Sequence, residues 1–180
     1  MSRITKVSDE TASPAAEDLL GAIKTKVGMV PNLYRVLANQ PAALSGLLQL
    51  NEELGKGAFN AQTREAIALT VAGANSCDYC ASAHSAISKS LNVDASEITS
   101  RLNGHSSDPK LNAILALSTA IVEKRGFAND ADLSSARQAG LNDSDIVETV
   151  ANVVANIFTN YVNHVAQTEI DFPVVETKAA

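Results

Sequence analysis

Apolar side chains recur along this sequence every three or four residues, the period of a helix with one buried face, and short polar breaks separate the segments that show it. Ser13-Pro14 combines an N-cap with a proline at the first helical position, and Leu19, Leu20, Ile23 and Val27 follow at helical spacing up to Gly28. Pro31 to Ala38 predicts a short helix with Leu33, Val36 and Leu37 apolar. Pro41 begins another, carried by Leu44, Leu47, Leu48, Leu50 and Leu54 and stopped at Gly55 or Gly57. Asn60 caps a helix whose inner face is Ala66, Ile67, Leu69, Thr70, Val71 and Ala74. After a break at Gly73-Ala74-Asn75-Ser76, Ser76 is placed to cap a helix from Cys77 to about Leu91.

The pattern continues to the carboxyl end. Asp94-Ala95-Ser96-Glu97 has the form of a capping box and opens a short helix that ends near Asn103-Gly104. Asp108-Pro109 starts a helix to about Lys124, interrupted by Gly126 and Phe127, and Asp130 to Ala139 is a helix ended by Gly140. Asn142 caps the last and longest helix, with Asp145 in its first turn at the positive end of the dipole; it runs to about Thr168, before Phe172-Pro173. Val174-Val175 is too short for a strand, so no strand signal competes. The expected architecture is all-α, a single-domain bundle of about eight to nine helices over residues 13–172. A flexible segment, 1–12, precedes it and a mobile tail, 173–180, follows.

Composition agrees with that pattern and narrows the setting. At 180 residues, 46% hydrophobic and 4% aromatic with no Trp, the chain suits closely packed helices better than a β-sandwich. The net charge of −6 comes without any Lys/Arg cluster, which argues against nucleic acid and anionic membranes as partners. Residues 1–10 lack the apolar core of a signal peptide. The longest periodic stretch, Val147 to Val165, is interrupted by polar residues too often to span a bilayer. The expected location is cytoplasmic.

Candidate chemistry concentrates in Ser76-Cys77-Asp78-Tyr79-Cys80-Ala81-Ser82-Ala83-His84, which holds both cysteines and one of the three histidines. On a helix, Cys77, Cys80 and His84 at i, i+3 and i+7 share one face. In a reducing compartment a Cys-x-x-Cys pair reads as redox or metal chemistry rather than a staple. Free N–H groups at a helix start lower a thiol pKa, which favours Cys77 as the more acidic thiol. His84, one turn beyond Cys80, is placed to exchange a proton with it. Glu65 reads either as a solvated first-turn residue or as a carboxylate directed at the cysteines across the helix–turn–helix.

Glu65, Cys77-Asp78-Tyr79-Cys80 and His84 together resemble the signature of the AhpD-like alkylhydroperoxidases of the carboxymuconolactone decarboxylase family. Val30-Pro31-Asn32-Leu33-Tyr34, Asn160-Tyr161-Val162-Asn163-His164 and Ile170-Asp171-Phe172-Pro173 extend the resemblance to the subgroup called peroxidase-related. The resemblance implies an all-α fold, assembly into trimers or hexamers, and thiol-based reduction of alkyl or hydrogen peroxides. Cys80 is then peroxidatic, Cys77 resolving, and His84 and Glu65 form the proton relay. No cofactor is implied; reducing equivalents come from an external dithiol or a thiol reductant protein. One position departs: Tyr79 stands where well-studied members carry a second His, and a phenol is a poor base near neutrality.

The last helix carries a polar stripe of Asn152, Asn156, Asn160, Asn163, His164 and Gln167. It reads as a solvated or subunit-facing side, or as a wall on which Asn160 and His164 line the site. His105 sits in a predicted loop and reads as exposed. The alternatives to a peroxidase are a dithiol oxidoreductase or redox-sensing oligomer with little turnover, a zinc site on Cys77, Cys80, His84 and Glu65, and the family's lactone decarboxylation.

Overall fold

A computed structural model describes residues 2–177, and among them there are nine helices and no strand. They are α1 (Pro14–Val27), α2 (Asn32–Leu37), α3 (Pro41–Leu54), α4 (Ala61–Ala74), α5 (Asp78–Ser90), α6 (Ala95–Leu102), α7 (Pro109–Glu123), α8 (Asp130–Gln138) and α9 (Asp143–Ala166). The caps explain the boundaries. Ser13, Asn60 and Asp108 each accept a hydrogen bond from a first-turn N–H, and Asn129 and Asn142 each build a full capping box, with Asp132 and Asp145. Gly28 takes the left-handed conformation that ends α1.

Two capping expectations are corrected. Asp94 caps α6 by position only, because Glu97 turns away from its backbone to Arg101 and Ser106. The cap of α5 is Cys77, not Ser76. Ser76 instead has a φ of 53°, a left-handed residue in the turn between α4 and α5.

α4 is the central helix. Ala66 to Val71 and Ala72 are buried on every side, as expected of a helix enclosed by others, while Ala74 is exposed. It packs against α5, α6, α7 and α9. Gly73 permits a close approach of α6: a Cβ there would stand 1.9 Å from the Leu102 carbonyl oxygen. One apolar cluster joins α4 to α7, α8 and α9 through Ile67, Val71, Leu115, Ala136 and Val153. A second gathers α1, α2 and α3 around Cys77, Tyr79, Cys80 and Ala81. The two cysteines are therefore part of a core.

The ends of the chain bind back onto this second cluster. Asn39 donates to the Thr5 carbonyl, and Val7 and Arg35 exchange hydrogen bonds. At the other end, Asp171 accepts from the Asn32 N–H, Val175 N–H donates to Ser82, and Thr177 donates twice to Asp78. The segment after α9 thus crosses the first turn of α5. Of the expected tail, residues 178–180 lie outside the described residues.

Candidate active site

The turn between α4 and α5 fixes the cysteines. Cys77 N–H donates to the Ala72 carbonyl at 2.9 Å, reversing the chain so that α5 returns along α4. Cys77 and Cys80 are free thiols, 1% and 2% exposed, with their sulfurs 2.7 Å apart. Sulfurs this near form a disulfide with little movement of the chain. Asn163 of α9 donates its side-chain N–H to the Cys80 sulfur at 3.3 Å.

The two thiols differ in acidity. Cys77 is held below the ordinary thiol value, first by the hydrogen bond from Cys80, then by the Cys80 backbone N–H and the charge of His84 acting against burial. Cys80 is pushed up, because it supplies that hydrogen bond and is buried beside the Cys77 charge. One negative charge on a sulfur at the start of α5 is stabilised; a second beside it is not.

Glu65 reaches across from α4 and meets His84 Nδ1 at 2.7 Å, both side chains being about one-fifth exposed. This decides between the two sequence readings of Glu65: it faces α5, not solvent. Burial lowers the affinity of His84 for a proton, but the charge and hydrogen bond of Glu65, with a smaller contribution from Cys77, outweigh it and raise the pKa. His84 makes its ring hydrogen bond to Glu65 and not to the Cys80 sulfur, contrary to the simplest helical-face expectation.

A cavity of about 330 Å³ joins these groups. Cys80, Glu65 and His84 line it together with the Tyr79 ring, while Cys77 does not reach it. Most of the remaining wall is apolar, including Leu33, Leu54, Ala68, Ile87 and Phe172. Arg64, Asn152, Asn156 and Thr159 supply further polar groups.

Three sequence candidates take other roles. The Tyr79 hydroxyl donates to Asp171 at 2.8 Å and accepts the Leu33 N–H at 3.1 Å, and its pKa is raised by burial and Asp171, so it is a tie rather than a proton carrier. Asn160 is buried and accepts from Asn75 at 3.1 Å; it braces the turn before Cys77 instead of lining the cavity. His164 is exposed and stacks on Tyr161, away from the site. The polar stripe of α9 divides, with Asn152, Asn160 and Asn163 inward and His164 and Gln167 outward. Asn163 belongs to the α9 stripe named from sequence, where Asn160 and His164 were the members expected to line the site; no local pattern singles out Thr159 or Arg64. The four side chains Cys77, Cys80, His84 and Glu65 do not form a group able to hold a metal ion, nor does any other cluster among the described residues.

Residues 41–104, spanning α3 to α6 and both cysteines, match the sequence pattern of the carboxymuconolactone decarboxylase family. No curated protein matches the chain. The fold is shared with an uncharacterized peroxidase-related protein from Ralstonia eutropha JMP134 that has an alkylhydroperoxidase AhpD core, at 20% identity over 94% of this chain and 92% of that one, with a TM-score of 0.84. A peroxidase-related protein from Silicibacter sp. TM1040 shares it at 23% identity over 92% and 94%, with a TM-score of 0.77. The debrominase Bmp8, in complex with 2,3,4-tribromopyrrole, does so at 17% identity over 95% and 92%, with a TM-score of 0.79. The chain has the AhpD-like all-α fold and is similar to the AhpD-like subgroup of that family.

Proposed function

We propose that this chain is a thiol-dependent peroxidase acting on alkyl or hydrogen peroxides through Cys80 and Cys77, with reducing equivalents from an external dithiol or thiol protein. The observation that carries the reading is access: the cavity reaches Cys80, and the Cys77 sulfur waits 2.7 Å behind it. Cys77 holds the resting charge, and passing the Cys80 proton to it leaves the attacking thiolate facing the cavity. That sulfur takes the distal peroxide oxygen, the O–O bond breaks, and the alcohol leaves with a proton supplied through His84 and Glu65. Cys80 is then a sulfenic acid. Attack by Cys77 forms the disulfide and releases water. The sum converts one hydroperoxide and two thiols into alcohol, water and one disulfide, and thiol–disulfide exchange with the external donor restores the pair.

Mass spectrometry with a sulfenic-acid trap tests it. Substoichiometric peroxide is expected to modify Cys80 first; C80S abolishes peroxide consumption, and C77S stops after one equivalent. Multiple turnover by both variants with a dithiol donor would sink the mechanism, and a single slow oxidation of the wild type would leave a sensor.

A second reading, reductive debromination, is favoured by the apolar cavity above Cys80 and the shared fold with Bmp8. It uses the same electrons: two thiols and an aryl bromide give the arene, bromide, a proton and the disulfide. Bromide release from a bromopyrrole, measured beside peroxide consumption, distinguishes the two. Either enzyme self-associates in this proposal. Val147, Val150, Val154, Phe158, Tyr161 and Val165 face outward on α9 at three- and four-residue steps, each 39% to 67% exposed, a seam suited to a second copy.

A further inference from the structure

Arg64 is the charged group in the cavity wall that the proposed chemistry leaves unused. It makes no ion pair among the described residues. One terminal N–H donates to the Phe59 carbonyl, which holds the side chain back along the start of α4. A guanidinium carries five N–H donors in a planar fork, so most of its capacity remains. Two carboxylates, the adjacent Glu65 on α4 and Glu148 on α9, have other partners. Glu65 is occupied by His84, and Glu148 accepts the backbone N–H groups of Ala58 and Phe59, each at 2.9 Å. The latter engagement is close, since a Cβ on Gly57 would fall 2.3 Å from a Glu148 oxygen. With His84 protonated, the Glu65–His84 pair balances itself, and Arg64 remains as an uncompensated cation in the wall.

Glu65 meets His84, and Arg64, the residue before it on α4, lines the same cavity. Cys80 lines it as well, so a group held by the Arg64 fork shares it with the Cys80 sulfur, and the apolar side chains of Leu33, Ala68 and Phe172 line it with them. At about 330 Å³ the cavity is near the small end of small-molecule sites.

We infer that Arg64 is a carboxylate-binding subsite, and that the preferred substrates are organic hydroperoxides with a compact apolar body and a carboxylate at the end remote from the O–O bond. Assignment of the ligand as a hydroperoxide rests on the peroxidase reading; assignment of the carboxylate to Arg64 does not. An Arg–carboxylate pair takes two parallel hydrogen bonds, and the apolar wall shields it more than open solvent would.

Two hydroperoxides of the same shape test the inference: cumene hydroperoxide and its para-carboxylate. Wild type is expected to favour the carboxylate by about ten-fold in kcat/KM. Arg64→Gln brings that ratio close to one, whatever its absolute rate, and Arg64→Lys recovers part of the preference. Binding of 4-isopropylbenzoate, which has no peroxide, is measured by calorimetry alongside 4-isopropylbenzyl alcohol. R64Q is expected to weaken the acid about ten-fold and leave the alcohol unchanged, with thermal melting confirming that the variant is folded. Arg64-dependent binding of the acid without turnover of either hydroperoxide supports the subsite and overturns the peroxidase reading. Equal binding of the acid by wild type and R64Q, or a wild-type ratio near one, overturns the subsite.

Discussion

Two sulfurs 2.7 Å apart cannot both ionise, and that is the central fact at the scale of the residue. Cys77 has the helix start and the Cys80 N–H; Cys80 has the cavity. Acidity and access are therefore divided between the two thiols, which is how the sequence could favour Cys77 for one role and the family resemblance Cys80 for the other. The Glu65–His84 pair has a testable pH signature. The folded-state pKa of His84 is raised, so its stabilising contribution is complete below the ordinary imidazole value of about 6.5 and fades as pH rises through the raised value. Urea midpoints of wild type and E65Q are expected to differ most near pH 6 and to converge as the solution becomes alkaline. In NMR titrations E65Q should move the His84 midpoint downward; an unmoved midpoint would show that the contact at 2.7 Å is not made in solution.

At the scale of the element, α5 is a short helix tied at its first turn. Tyr79 joins it to α2 through Leu33 and to the final segment through Asp171, with the Phe172 ring packed edge-on at 5.8 Å. Y79F leaves the Leu33 N–H and the Asp171 oxygen without that partner, an expected loss of about 1–3 kcal/mol in urea unfolding. Because the hydroxyl points into these ties, peroxide consumption should fall far less in Y79F than in C80S; an equal fall would give Tyr79 a part in the chemistry. The α4–α6 contact is stricter. G73A drives a methyl into the Leu102 carbonyl, a backbone atom that cannot step aside. Its expected cost exceeds about 3 kcal/mol, visible as a lowered melting temperature or loss of folded protein.

For the whole molecule, the orientation of α9 is the deciding feature. Its asparagines enter the protein: Asn163 reaches Cys80, Asn160 holds the turn through Asn75, and Asn152 and Asn156 line the cavity. Val147, Val150, Val154, Phe158, Tyr161 and Val165 remain outside, while Val153 is buried in the core. An exposed apolar seam along a 24-residue helix is a large surface to leave in water. Replacing Val154 and Phe158 by Glu is expected to reduce the molecular mass measured by light scattering to that of a single chain without melting the fold. A wild type that is already monomeric at micromolar concentration would remove the self-association proposal. No helix among the described residues is long and apolar enough to cross a membrane.

The sequence by itself determined the helices, because caps, prolines and 3.6-residue periodicity are local properties that each segment carries alone. It also determined the pairing of the two cysteines, since a three-residue spacing places two thiols together in almost any helical context. What the tertiary structure decided was direction. Periodicity shows that α9 has a polar face and an apolar face but not which one meets the core, and Glu65 looks like any first-turn carboxylate until α5 folds back upon it. Tyr79 likewise could be a reactive group or a tie, and only the arrival of Asp171, 92 residues away in sequence, settles it as a tie. The nine-residue stretch around the cysteines supplied the chemistry; the walls that give it a cavity, a charge balance and an unused Arg64 come from segments distant in the chain, whose approach no local pattern encodes.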